Sequence, residues 1–225
     1  MYLKSVNSGE IQIYQNWRSG TPSAIHKCSV DGAVEVGLLG LVGDEQADTK
    51  NHGGVDKAVF IMSQESYARF KVDEPYGFLG ENLTVKGLDE KQICLGDRFQ
   101  IGTVLLEVSQ PRSPCWKLGE HAITQAAWGS AEEFLSAYSE SGHVGLYCRV
   151  LEVGKLQAGD EIIWTPSEPD AQGRRFTIHD LFLARQFHRT QADWKLLEGV
   201  IEHSALTASW HKSIRVLLES RPNNF

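Results

Sequence analysis

Val104-Leu105-Leu106-Glu107-Val108-Ser109-Gln110-Pro111-Arg112-Ser113-Pro114-Cys115-Trp116-Lys117 begins as a strand and ends as a stiff, charged turn. The run Val104–Ser109 is apolar and β-branched enough to sit on a buried pleated surface. Pro111 and Pro114 then withhold two backbone donors and restrict the residues before them, so the chain leaves the sheet here. A thiol follows, with Arg112 and Lys117 close to it in sequence. Neighbouring cations favour thiolate, and a thiolate is both a nucleophile and a soft metal ligand. A lone cysteine is equally a small packing residue. The residues by themselves leave both readings of Cys115 open.

Similar short segments recur on both sides of this strand, at Glu10–Tyr14, Ser23–Val30, Ala33–Leu39, Ala58–Met62, Asn82–Lys86, Asp97–Ile101, Gly145–Val153 and Glu161–Thr165. So many short strands predict a mainly β fold whose sheet closes on itself as a barrel. Two helical interruptions are expected, at Ser63–Val72 and Ala131–Tyr138. The stretch Pro166-Ser167-Glu168-Pro169-Asp170-Ala171-Gln172-Gly173 reads as a linker. Beyond it, Thr177-Ile178-His179-Asp180 and Thr190-Gln191-Ala192-Asp193 carry a helix-start pattern. Leu206, Trp210, Ile214, Leu217 and Leu218 form one apolar stripe. The expected division is 1–165 for the barrel, 166–175 for the linker and 176–225 for a small C-terminal three-helix appendage, α+β overall. Its helices fall near 178–186, 191–203 and 206–220. So small a helical unit needs the barrel, or a partner subunit as in a homodimer, to cover its apolar faces. Trp194 and Trp210 read as packing residues.

The composition narrows the function. With 225 residues, 41% hydrophobic and 23% charged, the chain has the material for a real core. It holds no run of about 18 apolar residues, and its start lacks an apolar signal core, which points to the cytoplasm and reduced thiols. The net charge of -7 argues against binding a nucleic-acid polymer. Residues 166–225 carry 8 Lys/Arg against 7 Asp/Glu, so the acidic excess lies in the first 165 residues. An anion site there must be built from local cations. Cys28, Cys94, Cys115 and Cys148 form no CxxC pair, and no HExxH, GxSxG or GxGxxG is present. Cys28, Cys94 and Cys148 lie in strand-like apolar runs and read as core.

Two further segments carry polar chemistry. In His52-Gly53-Gly54-Val55-Asp56-Lys57-Ala58 the paired glycines allow backbone amides to approach an anion, and Lys57 adds a charge. A plain Gly-Gly turn fits as well. Gly80-Glu81-Asn82-Leu83 reads either as polar residues opening a strand or as a ligand contact. The turns Gly40–Asp44 and Gly96-Asp97 look purely architectural.

In this order, these segments resemble the MOSC family, named for the molybdenum-cofactor sulfurase C-terminal domain, and within it the YiiM-like, hydroxylaminopurine-resistance branch. Gly142-His143-Val144-Gly145-Leu146-Tyr147-Cys148-Arg149 and the helical tail resemble that branch too. The resemblance implies a MOSC-type β-barrel and a molybdopterin-type molybdenum cofactor with Cys115 as protein ligand to the metal. It implies the two-electron reduction of small N-hydroxylated substrates, such as hydroxylamino purines, to amines as a detoxification. His52 would bond the pterin or deliver a proton. Gly53, Gly54, Asp56, Lys57, Glu81, Asn82, Arg112, Ser113 and Lys117 would surround the cofactor. With no motif for flavin, haem or nicotinamide, electrons would come from a separate reductase. Two other readings use the same thiol: a Cys115 persulfide in sulfur transfer, and a non-catalytic cofactor-binding module.

Overall fold

The computed structural model describes residues 1–17, 20–124 and 127–222; residues 223–225, the end of the expected appendage, lie outside it. In chain order the strands are β1 (Tyr2–Ser8), β2 (Gln12–Tyr14), β3 (Thr21–Ser23), β4 (Cys28–Ser29), β5 (Val34–Gly37), β6 (Gly40–Leu41), β7 (Val59–Ser63), β8 (Leu83–Lys86), β9 (Arg98–Ile101), β10 (Val104–Pro111), β11 (Leu146–Glu152), β12 (Gly154–Leu156) and β13 (Ile162–Thr165). The helices are α1 (Thr49–His52), α2 (Glu65–Arg69), α3 (Trp116–Ala122), α4 (Ala131–Glu140), α5 (Ile178–Phe187), α6 (Gln191–Val200) and α7 (Ala208–Glu219). One 3₁₀ turn spans Val55–Lys57.

The main sheet has the order β13-β9-β10-β11-β7-β8-β1-β4, with β7 and β8 parallel. Among the described residues it does not close into a barrel. Its first and seventh strands meet through the single bridge Tyr2–Glu161 and backbone hydrogen bonds around Leu3 and Asp160. The free edge of β1 is divided: Asn7 and Ser8 pair with β4, while only its start faces 159–162. Helices also hold about as many residues as strands. The expectation of a mainly β, closed barrel is therefore corrected to a mixed, curled sheet with substantial helix. The sequence also did not announce β1, whose register shifts between Leu3 and Ser5 and so breaks the alternation.

Alternation along β7 builds two cores. Val59 and Ile61 join Leu83, Leu106, Val108 and Cys148 in an inner cluster. Phe60 and Met62 point to the other face and join Phe134, Tyr138, Phe182, Trp194 and Trp210. The tail helices thus pack on the back of the sheet. They start where side chains cap them: Thr177, Thr190 and Thr207 each accept from the backbone N–H three residues on, and Thr190 with Asp193 forms a reciprocal capping box.

The stretch between sheet and tail is pinned. Asp97, fully buried, accepts from Cys94 N (2.9 Å), Trp164 Nε1 (2.8 Å), Ser167 N (2.8 Å) and Arg175 Nη2 (2.6 Å). Leu95 N donates to Phe176 O and Ile178 N to Ile93 O, so the tail enters as an added edge. Cys94 and Cys148 are buried as expected. Cys28 is exposed, because the two-residue β4 is an edge strand with neither residue in the core.

Candidate functional site

The site is built where β10 ends. Its register against β11 shifts between Val108 and Gln110, a bulge that re-aims the strand. Ser109 Oγ is held by Asp56 O (2.6 Å) and Tyr147 O (3.0 Å), and Arg112 N donates to Gly145 O (3.1 Å). The chain then reaches Cys115, whose extended backbone caps α3. That short helix was not expected from the sequence.

Cys115 lines a cleft of about 640 Å³, with open solvent included, together with His52, Lys57, Asn82, Arg112 and Lys117. Burial pushes its thiol up, but a hydrogen bond from His52, the charges of Arg112 and His52 and the Leu118 backbone N–H outweigh that. The resulting pKa is about 6, so the group is mostly thiolate at neutral pH. Arg112 is 5% exposed; its Nη1 donates to Tyr138 OH (3.2 Å) and its guanidinium lies 5.0 Å from the Phe60 ring centroid. Burial opposes its charge, yet Tyr138, Tyr147 and Cys115 raise its pKa overall. Burial pulls Lys57 down, against Asp48 and Asp56. Lys117 Nζ donates to Pro22 O (3.0 Å).

Asn82 is a structural wall of the cleft. Its Oδ1 accepts from Phe60 N (3.0 Å) and its Nδ2 donates to Asp44 Oδ2 (2.9 Å). Asp44 also pairs with Lys27, both almost fully buried, and both line the cleft. The Gly40–Asp44 turn is therefore more than architectural. Lys27, Asp44 and Tyr147 are lining residues the sequence did not single out. Their partners lie many residues away, so no local pattern marks them.

Other expected site residues sit elsewhere. Glu81 is fully buried and does not line the cleft: Tyr67 OH (2.7 Å), Gly77 N (2.9 Å) and Thr84 Oγ1 (2.7 Å) donate to its Oε1. Burial outweighs those donors and raises its carboxyl pKa. Asp56 is tied to Arg149, whose Nε donates at 3.0 Å. Gly54 adopts φ 91°, which favours glycine, whereas a Cβ on Gly53 would need the tip of the Gln46 side chain to move. Gly54 thus shapes the turn that delivers His52 and Lys57. Ser113 lines a second cleft, which also contains Cys115.

A soft, ionised sulfur beside Lys57, Arg112 and Lys117 suits an anionic cofactor bearing a thiophilic metal. Asp44, Glu45 and Asp48 share the lining, and Lys27 compensates Asp44.

Comparisons with known proteins identify the family and the fold. Residues 48–163 match the MOSC domain family. The chain is 34% identical over 224 residues to the protein YiiM of Escherichia coli K12, covering 95% of this chain and 91% of that one. A protein of Gibberella moniliformis named "Reductase" is 35% identical over 148 residues, which is 62% of this chain and 25% of that protein. The crystal structure of YiiM from Geobacillus stearothermophilus superposes with a TM-score of 0.73 at 27% identity, covering 96% of this chain and 98% of that one.

Proposed function

The chain belongs to the MOSC domain family, and from that premise we propose that it is a molybdenum-cofactor-dependent reductase of N-hydroxylated compounds, hydroxylamino purines and related bases among them. The observation that carries this reading is the Cys115 thiol, held largely ionised by His52 and Arg112 in a cleft that also presents Lys57 and Lys117. The relative named "Reductase" supports the redox class. The net conversion is R–NHOH plus two electrons and two protons to R–NH₂ and water.

When bound, the cofactor supplies a two-electron couple at a soft metal. The rest falls to this chain. Cys115 would hold the metal as thiolate. Lys57, Arg112 and Lys117 would neutralise the cofactor's phosphate and the thiolate itself. His52, hydrogen-bonded to the Cys115 sulfur, holds a proton beside the reacting end and delivers it to the departing hydroxyl. Asn82 and the Lys27–Asp44 pair keep the wall rigid, so the cleft arrives preorganised. Electrons come from a separate reductase protein.

Metal analysis tests this on protein made in a host that synthesises the cofactor. Close to one molybdenum per chain is expected, falling in Cys115→Ser together with loss of hydroxylamino purine turnover. A variant with full metal and full turnover would sink the reading. The same ionised sulfur suits a persulfide carrier, which would instead show a labile extra sulfur on Cys115 by mass spectrometry and consume no substrate.

A further inference from the structure

The helical tail forms one wall of the second cleft. That cleft, about 970 Å³ with open solvent included, has Ser113, Cys115 and Tyr147 on the sheet side and Arg185, Ser209 and Trp210 on the helix side. The wall is fastened to the sheet: Thr207 Oγ1 donates to Gln110 Oε1 (2.8 Å) and Arg149 Nη2 donates to Ala205 O (3.0 Å).

Arg185 is itself held in place. Its Nε donates to Ser213 Oγ (3.0 Å), joining α5 to α7, and its guanidinium lies 4.5 Å from the Trp210 ring centroid. Stacking and one hydrogen bond fix the plane of the fork but use one of its five N–H donors. Among the described residues no carboxylate forms an ion pair with it, and burial alone acts on its charge, pulling its pKa down. A half-buried guanidinium with spare donors and no counter-ion is set to accept an oxyanion. Lys57 and Lys117 on the facing wall add to the positive side of the field, against the single carboxylate of the lining, Asp48.

We propose that Arg185 is a specificity residue that binds an oxyanion of the substrate, so that the cleft prefers N-hydroxylated bases carrying a phosphate or carboxylate over their neutral counterparts. The choice of reacting group rests on the reductase reading above; the anion site does not.

Calorimetry on this chain separates the two. Adenosine 5′-monophosphate, adenosine and benzoate are the probes. The monophosphate should bind about tenfold or more tighter than adenosine, as a charge-assisted contact implies. Arg185→Gln should erase that preference, and Arg185→Lys, which keeps charge but loses the fork, should keep part of it. If Arg185→Gln does not fold, the Lys variant carries the test: an unchanged preference counts against the proposal. Arg185-dependent binding of benzoate alone would assign the oxyanion to a carboxylate. Equal binding of nucleotide and nucleoside with no Arg185-dependent benzoate binding would overturn the proposal. So would a preference that survives Arg185→Gln and vanishes in Lys117→Gln, since the anion would then lie on the other wall. With cofactor-loaded protein, absence of any hydroxylamino purine turnover alongside intact Arg185-dependent binding would defeat the reductase reading and leave this site standing.

Discussion

Cys148 lies within β11 and Cys115 just beyond the neighbouring β10, and their surroundings treat one functional group in opposite ways. Cys148 is fully buried on β11 within the inner cluster, and burial drives its thiol far above the ordinary range. Cys115 is also substantially enclosed, yet His52, Arg112 and the Leu118 N–H bring it to about 6. Burial alone therefore does not decide reactivity. What differs is whether the enclosing atoms are alkyl groups or aligned donors.

The largest expected difference is in alkylation. At pH 7 iodoacetamide should label Cys115 readily, while Cys148 stays silent until the chain is unfolded; mass spectrometry of digested protein reads both. Equal labelling would erase the distinction. Next comes stability. Leu106→Ala empties a site in the inner cluster and should cost about 2–5 kcal/mol in denaturant unfolding, without moving the pH midpoint of Cys115 labelling. A midpoint that moved would mean the two regions are coupled. His52→Ala does the reverse. It removes a hydrogen bond and a charge from the sulfur, so the labelling midpoint should climb from about 6 by roughly 1–3 units while the inner cluster is untouched.

The titration of His121 provides a smaller effect in the acid range. Its ring stacks on Phe78 with centroids 4.2 Å apart, its Nε2 is buried with no hydrogen-bond partner among the described residues, and burial, reinforced by His26, lowers its pKa to about 4. The unfolded chain binds the proton near 6.5 and the folded chain only near 4, so stability contributed by the neutral ring is lost as pH falls through that window. His121→Phe should flatten the decline in thermal midpoint between pH 6.5 and 4. Cys115 acts with the same sign higher up: its contribution grows from about pH 6 towards 9, where the unfolded thiol also ionises.

Much of this was legible in local sequence. The alternation of Val104–Val108, the prolines around Arg112 and the capping threonines of the tail all act over a few residues, and the structure places strand, turn and helices accordingly. Closure of the sheet was not legible, because it depends on how residues 1–3 meet 159–162, and strand counting carries no such information. In the site, Cys115 was marked by its neighbours along the chain. Asp44 was not, since its meaning comes from Lys27 and Asn82, brought together only by folding. Glu81 misled for the complementary reason: a polar residue at a turn looks available to a ligand, but here Tyr67, Gly77 and Thr84 absorb it.

The five residues of β7 have no solvent side at all. Val59 and Ile61 serve one apolar compartment and Phe60 and Met62 the other, so melting of one should carry its neighbour with it. Heating should therefore release sheet and tail in a single calorimetric peak, and a one-residue insertion ahead of Val59 would exchange the tenants of both compartments at once.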